Sequence, residues 1–188
     1  MEWIERILRK QMKYYRIILD GDDKIGGTLY APKEVKHGIV EDSREVEKSV
    51  FNMTFTLRDG DYTHFLGSNI GAHFVSTELK QLIESCVPID YPLEFIPIQI
   101  VSDVYGNKVY YILHFKIIFD VLDIENTIYV PGTDSIIKAC LSQTKVENLH
   151  IFNSRPIIND VIISEKIRKD MKKLKKNVGI EFTQLRVV

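Results

Sequence analysis

The sequence lacks the features that mark a membrane protein or a disulfide-stabilised secreted domain. It has 188 residues and only two cysteines, Cys86 and Cys140, which form no CxxC pair. Two distant cysteines provide no disulfide framework, so we expect reduced thiols. The longest apolar stretch, Val109–Leu122, contains polar and charged residues, and no run approaches the ~20 apolar residues of a membrane helix. Met1–Lys13 mixes charged and apolar residues and has no signal-peptide core, so we predict a cytoplasmic protein.

The sequence also lacks an excess of charge and the short motifs of common enzymes. The formal net charge is -1, which gives no overall attraction to nucleic acid or anionic lipid. It contains no GxSxG, no Gly-rich phosphate loop and no HExxH, and its five histidines have no metal-ligand spacing. We therefore predict that the protein is not an enzyme and has no cofactor and no metal.

What the sequence does contain is an ordinary globular composition with strand patterns. Hydrophobic residues make up 45% and charged residues 27%, and the length fits a single domain over residues 1–188. Compact apolar or alternating stretches predict strands. The predicted strands are Tyr14–Leu19, a short one at Thr28–Tyr30, Phe51–Leu57, and a hairpin of Leu93–Val101 with Lys108–Phe115 in which Pro97 indicates an edge or a bulge. Residues 61–72 are predicted to form a loop.

A strand–helix–strand pattern is written twice. Ser76 and Ser164 each follow two apolar residues and precede a helical pattern, so each is predicted to cap a helix. Further positions correspond in the two copies: Leu79 and Ile83 with Ile167 and Met171, and Glu94-Phe95 with Glu181-Phe182. The pattern predicts an α+β fold, with a mainly antiparallel sheet and two Ser-capped helices from an internal repeat.

Two segments carry enough charge to attract a partner. Residues 20–47 hold eight acids and four bases, and the predicted helix 165–176 holds seven bases and two acids. The basic helix could bind phosphate, although a solvated helix face is the more ordinary interpretation because no aromatic residues alternate with the bases. A nucleic-acid-binding regulatory module that uses this helix is the alternative function.

Several segments resemble a known family. They are residues 110–125 (Tyr110-Tyr111-Ile112-Leu113-His114 through Ile124-Glu125), His150-Ile151-Phe152, Ile162-Ile163-Ser164 with its helix, and the ending Gly179-Ile180-Glu181-Phe182. Together they resemble family eleven of the bacterial immunity proteins encoded beside polymorphic toxins. Met12-Lys13-Tyr14-Tyr15 is similar to the usual beginning of such proteins, so translation could start at Met1 or at Met12. The resemblance covers about residues 70–188, which we take as the repeat-containing core, with 1–69 as a variable part.

The resemblance implies a protein that binds and neutralises a cognate toxin, without catalysis and without a cofactor. Partners that vary are usually met by loops on a rigid frame, so we predict contact through the irregular residues of the N-terminal part. The candidate toxin-binding residues are Asp22, Asp23, Glu41, Asp42, Glu45, Asp59, Asp61 and Tyr62. The predicted partner is thus the toxin protein, with no role for a membrane and none expected for nucleic acid; the sequence leaves the oligomeric state open.

Overall fold

Strands dominate the computed structural model, which describes residues 12–19, 27–33, 35, 40, 43–154, 161–174 and 179–188. The strands are β1 (Tyr14–Leu19), β2 (Thr28–Tyr30), β3 (Thr54–Asp59), β4 (Phe65–Ser68), β5 (Phe74–Val75), β6 (Leu93–Val101), β7 (Lys108–Phe115), β8 (Ile128–Tyr129), β9 (Ile136–Lys138), β10 (Cys140–Leu141), β11 (Ile151–Phe152), β12 (Ile162–Ser164) and β13 (Ile180–Val187). The helices are α1 (Thr77–Glu84), α2 (Gln143–Val146) and α3 (Glu165–Met171), with a 3₁₀ turn at Lys48–Asn52. This composition is compatible with the predicted α+β class.

Six strands close into a barrel in the order β2-β3-β6-β7-β5-β4. The β6–β7 hairpin forms as predicted, and Pro97 lies where β6 pairs with β7 alone, because pairing with β3 starts only at Gln99. The β2–β4 and β3–β6 pairs are parallel. Apolar side chains fill the barrel, among them Leu29, Phe55, Phe74 and Ile112, all of which are fully buried.

A second sheet has five strands in the order β10-β13-β1-β12-β11. Its centre is β1, which pairs antiparallel with β12 and with β13. The short helix α2 lies against the outer face of this sheet, where Val146 packs with Tyr14 and Phe152. A separate two-stranded sheet joins β8 and β9.

The barrel and the five-stranded sheet share one apolar core. Leu79 and Ile83 of α1 and Ile167 and Met171 of α3 all belong to it and are almost completely inaccessible to solvent. They recur at intervals of four residues, which places each pair on one face of its helix. The two helices therefore fix the barrel against the sheet.

The two helices start in similar ways but are capped differently. Ser76 precedes α1, and its Oγ accepts a hydrogen bond from the Leu79 amide at 3.2 Å. Ser164 precedes α3 in the same extended conformation, but its side chain makes no hydrogen bond to the helix. A serine thus stands at both starts, and the hydroxyl cap forms only at Ser76.

Three sequence predictions were wrong in their bounds. Phe51 lies in the 3₁₀ turn and is 46% exposed, so the strand begins at Thr54 instead. The predicted loop 61–72 contains β4, whose residues pair with both β2 and β5. The basic helix predicted over 165–176 ends at Met171, because the amides of Lys173 and Leu174 donate to the carbonyls of Asp170 and Met171, which lie three residues back and not four. Residues 175 and 176 fall outside the described residues.

Candidate functional site

One end of the barrel brings two distant turns together. In the parallel β3–β6 pair, Thr56 lies opposite Val101, so the chain leaves both strands at the same end. The Tyr62 hydroxyl joins the two turns, since it donates to the carbonyl of Gly106 at 2.9 Å. Residues 58–62, 77–78 and 103–109 form what we call the barrel-end surface.

A stack of aromatic rings forms the centre of the barrel-end surface. The Tyr62 ring stacks on Tyr110, with centroids 5.7 Å apart, and meets Tyr105 edge-on at 6.2 Å. The ammonium group of Lys108 lies 4.2 Å from the centroid of Tyr62, within the range of a cation–π contact. A hydrogen bond with Asp61, together with the charge of that carboxylate, raises the pKa of Tyr105. Tyr62 is thus held by neighbours on several sides.

A pocket of about 350 Å³ opens beside this stack, between β7 and the start of α1. Its wall includes His64 and Ser76, both buried, with His64 Nδ1 and Ser76 Oγ hydrogen-bonded at 2.7 Å. The Ser76 amide also donates to the His64 carbonyl at 2.9 Å. These two bonds fix the start of α1 to the chain that leads into β4. Glu78 and Lys108 provide the charged groups of the lining.

The five-stranded sheet holds a pocket of similar construction. It has a volume of about 510 Å³ and lies at the start of α3. His150 Nδ1 and Ser164 Oγ are 3.0 Å apart, and the Ser164 amide donates to the His150 carbonyl at 2.8 Å. Burial, and then the charge of Lys166, lower the pKa of His150. The charged lining is mainly basic, from Lys13, Lys166 and Lys169, with Glu165 as the acid.

The likeness extends to the central strands. We define the barrel unit as β4-β5-β7-β6 with α1, and the sheet unit as β11-β12-β1-β13 with α3. In the barrel unit, the Tyr110 hydroxyl donates to the carbonyl of Thr63, the residue before His64, at 2.7 Å. In the sheet unit, Tyr14 makes the matching bond to Leu149, the residue before His150, at 3.2 Å and also bonds to the carbonyl of Val146. Burial raises the pKa of both tyrosines, so both remain neutral donors.

The neighbouring tyrosine of each unit lies under a cation from the helix. Tyr111 is opposite Val75, and Lys80 Nζ lies 5.2 Å from the centroid of its ring. Tyr15 is opposite Ile163, and the guanidinium carbon of Arg168 lies 4.2 Å from its centroid. Arg168 also forms a two-point ion pair with Glu165, at 2.7 and 3.0 Å. Hydrogen bonding by Arg168 is the main reason why the pKa of Glu165 is lowered to about 2.

A comparison with known families decides the assignment. Residues 30–187 match the model of an immunity protein family, Imm11. The chain belongs to the Imm11 immunity protein family. No protein of curated function matches the chain. The Imm11 match includes the barrel-end surface and both helices that pack into the shared core.

The predicted toxin-binding residues of this Imm11 chain occupy more than one place. Asp59, Asp61 and Tyr62 lie together on the barrel-end surface, where Asp59 accepts a hydrogen bond from the Tyr30 hydroxyl at 3.1 Å. Glu45 is exposed at the other end of β7, because the Ser43 amide donates to the Phe115 carbonyl at 2.8 Å. Phe115 lies seven residue steps along β7 from Lys108, or roughly 24 Å away. Asp22, Asp23, Glu41 and Asp42 lie outside the described residues.

Ion pairs occupy part of the basic face of α3. Glu165 binds Arg168 and lies 3.7 Å from Lys169, and Asp170 binds Lys173 at 2.6 Å. Tyr15 covers the guanidinium of Arg168. These contacts resemble a solvated helix face more than a phosphate site. The described part of the helix therefore presents a weaker positive surface than its sequence suggests.

Sequence reasoning missed the half of the barrel-end surface contributed by the β6–β7 turn. Val104 and Tyr105, which lie between the two strands of the predicted hairpin, are 78% and 49% exposed. Two features of the sequence could have indicated this part of the surface: the dense tyrosines and the short loop of the hairpin. Within the described ranges, no group of three or more acidic, histidine or cysteine side chains is placed to hold a metal ion. The helices described for this Imm11 chain are also too short or too polar to cross a membrane.

Proposed function

We propose that this Imm11 protein binds a cognate bacterial toxin domain and neutralises it by direct protein–protein contact. The family match over residues 30–187 carries the proposal. An inhibitor of this kind works by covering a surface on its target, so it needs a rigid frame and an exposed patch rather than reactive groups. We place it in the cytoplasm, where its two buried thiols would stay reduced.

We propose the barrel-end surface as the main contact region. It combines exposed aromatic and aliphatic side chains with acids. Its central ring, Tyr62, is held by two ring contacts and by a hydroxyl proton that is shared between the carbonyls of Gly106 and Ile100. Interfaces depend on a few anchors of this type, often tyrosine, surrounded by polar residues. Asp59, Asp61 and Tyr62 are therefore kept as contact residues, and Tyr105 is added.

The remaining predicted residues stay as predictions. Glu45 lies at the other end of the barrel, so a partner bound to the barrel-end surface would need a large contact area to reach Glu45 too. A standard interface covers about 800 Å² on each partner. Asp22, Asp23, Glu41 and Asp42 belong to the same hypothesis, and their substitution is a separate experiment.

We propose further that the barrel unit and the sheet unit are two copies of one ancestral unit within a single domain, residues 1–188. The matching His–Ser pairs, tyrosine hydroxyl bonds and cation–ring contacts support this. In this interpretation, the contacts common to both copies stabilise the fold, and toxin binding depends on surface residues that differ between the copies. The nucleic-acid alternative would use the basic face of α3, whose ion pairs argue against it.

Co-expression with the toxin domain encoded by the neighbouring gene tests the proposed function. We expect growth to be rescued and the two proteins to elute as one complex in size-exclusion chromatography. Tyr62→Ala should weaken the complex, and Ile137→Ser, a substitution at an exposed residue remote in sequence from the surface, is the control. If the wild-type chain neither rescues growth nor forms a complex with the toxin domain, the proposal is refuted. Retention on heparin that falls steeply with salt would favour the nucleic-acid alternative.

A further inference from the structure

We infer that the barrel-end surface fits a basic protein surface, so that the toxin neutralised by this chain presents an Arg- and Lys-rich working face. The inference rests on the proposed function, and it adds the chemistry of the partner. Such a face is required of a protein that handles a polyanion such as nucleic acid.

The centre of the surface is apolar and open to solvent. Val104, Tyr105 and Val109 are 78%, 49% and 43% exposed. The Tyr105 ring meets Tyr62, Val109 lines the 350 Å³ pocket, and Val104 precedes Tyr105 in the same turn. Exposed apolar side chains that lie together beside a pocket mark an interaction site more often than scattered ones do. The pocket is large enough to accept one or two side chains of a partner.

The charges around this centre are mainly negative. Four exposed acids belong to the surface: Asp59, Asp61, Glu78 and Asp103. Its two bases are Arg58 and Lys108, and each lies over a tyrosine ring, at 5.0 Å from Tyr30 and 4.2 Å from Tyr62. The aromatic faces hold these cations in place, and the four acids outnumber the two bases, so the rim carries a net negative charge.

The matching position in the sheet unit has the opposite charge. Lys13, Lys166 and Lys169 line its pocket, and its one acid, Glu165, is occupied by Arg168. The pocket of the sheet unit therefore has a mainly positive lining, whereas the pocket of the barrel unit has one acid and one base and lies within a surface that carries more acids than bases. A basic partner would be attracted to the barrel-end surface and repelled from the sheet-unit pocket, which sets its orientation as well as its rate of association.

Association kinetics with the toxin domain of the neighbouring gene provide the test. The test variant is Asp59→Asn/Asp61→Asn/Asp103→Asn, because asparagine keeps the oxygen acceptors used by Tyr30 and Tyr105. The matched control is Lys166→Gln/Lys169→Gln, which removes charge at the corresponding pocket of the sheet unit. Circular dichroism and thermal unfolding confirm that both variants are folded.

We expect the association rate of the wild-type chain to fall as the salt concentration rises. At low salt the triple asparagine variant should associate about tenfold more slowly and lose most of its salt dependence, because rim charges act mainly on association. The control variant should associate at least as fast as wild type. Tyr105→Ala should instead speed dissociation, because it removes an apolar anchor.

Two results would overturn the inference. One is slower association of the lysine variant with no effect of the asparagine substitutions, which would assign the toxin an acidic face. The other is an association rate that neither variant nor salt changes. In both cases the wild-type chain still rescues growth, so the proposed function survives; failure of wild-type rescue is a separate outcome that removes the function itself.

Discussion

The barrel unit and the sheet unit use the same buried contacts to support different surfaces. In each, a tyrosine hydroxyl bonds to the carbonyl before a histidine, that histidine bonds to the serine before a helix, and a helix cation covers the neighbouring tyrosine. Apart from the His–Ser pairs, the residues around the two pockets share little: Thr77, Glu78 and Lys108 line one, and Glu165, Lys166 and Met12 line the other. The comparison shows that the two units have their buried tyrosine, histidine and serine contacts in common. The charged residues around the two pockets are different.

The largest effect should come from the core that the two units share. Leu79 and Ile167 occupy matching positions on α1 and α3, and both are completely buried. Each truncation, Leu79→Ala and Ile167→Ala, should lower the free energy of unfolding by about 2–5 kcal/mol, because it leaves a cavity. Urea unfolding followed by circular dichroism measures both. If one costs less than about 1 kcal/mol, the two helices do not support the core equally.

The tyrosine hydroxyls should come next. Tyr14→Phe and Tyr110→Phe each remove a buried donor and leave a carbonyl without that bond, which costs about 1–3 kcal/mol. The one hydroxyl proton of Tyr14 is shared between the carbonyls of Val146 and Leu149, whereas that of Tyr110 goes to Thr63 alone. Because its loss affects two buried acceptors, we expect the larger loss for Tyr14→Phe. The same unfolding experiment ranks them. The reverse order would show that the second carbonyl contact of Tyr14 adds no stability.

The local parts of this frame were predictable from the sequence, and the long-range parts were not. β1, β2, the β6–β7 hairpin and a serine before each main helix follow from periodicity and end signals within a few residues. β4 was missed because four residues, Phe65–Ser68, that include a glycine give no alternation to read. The strand expected to begin at Phe51 begins later, because a 3₁₀ turn occupies that segment.

The candidate site shows the same limit. Asp59, Asp61 and Tyr62 could be selected because they follow a clear strand and a turn. Val104 and Tyr105 join them through parallel pairing of β3 with β6, and more than forty residues of chain separate the two turns. Pairings of that range leave no local pattern in one sequence. The ion pairs of α3 agree with the solvated helix face favoured from its sequence, but which side chains pair depends on which of them face each other in the fold.

The two helix starts offer a smaller and sharper contrast. Ser76 Oγ contacts both the Leu79 amide and His64, whereas Ser164 Oγ contacts His150 without capping α3. Ser76→Ala should therefore cost about 1 kcal/mol more than Ser164→Ala, the usual contribution of an N-cap hydroxyl. Ser76→Thr, which keeps a hydroxyl, is the control for Ser76→Ala. Equal losses for the two alanine variants would mean that the cap at Ser76 adds nothing to the histidine contact.

The smallest predicted effect is a pH dependence of stability that arises in the sheet unit and has no counterpart at the matching position of the barrel unit. Glu165 follows Ser164, whereas the uncharged Thr77 follows Ser76. Arg168 and Tyr15 bind the Glu165 carboxylate and, with Lys169 nearby, keep its pKa at about 2 in the folded chain, below its ordinary value of 4.5. A carboxyl whose pKa is lowered by folding stabilises the fold above its unfolded pKa, and this stabilisation is lost as the pH falls from about 4.5 towards 2.

The Glu165→Gln variant isolates this contribution. Glu165 is partly exposed, and solvent-exposed ion pairs contribute about 0.2–1 kcal/mol, so at pH 7 the variant should be less stable than wild type by about that amount. The difference should shrink below pH 4.5 as the wild-type carboxylate takes up its proton. Unfolding curves of both proteins between pH 7 and pH 3 measure it, and Thr77→Ala provides the control in the barrel unit, since no charge is lost there. A difference that stays constant across this range would mean that Glu165 acts through packing and not through its charge.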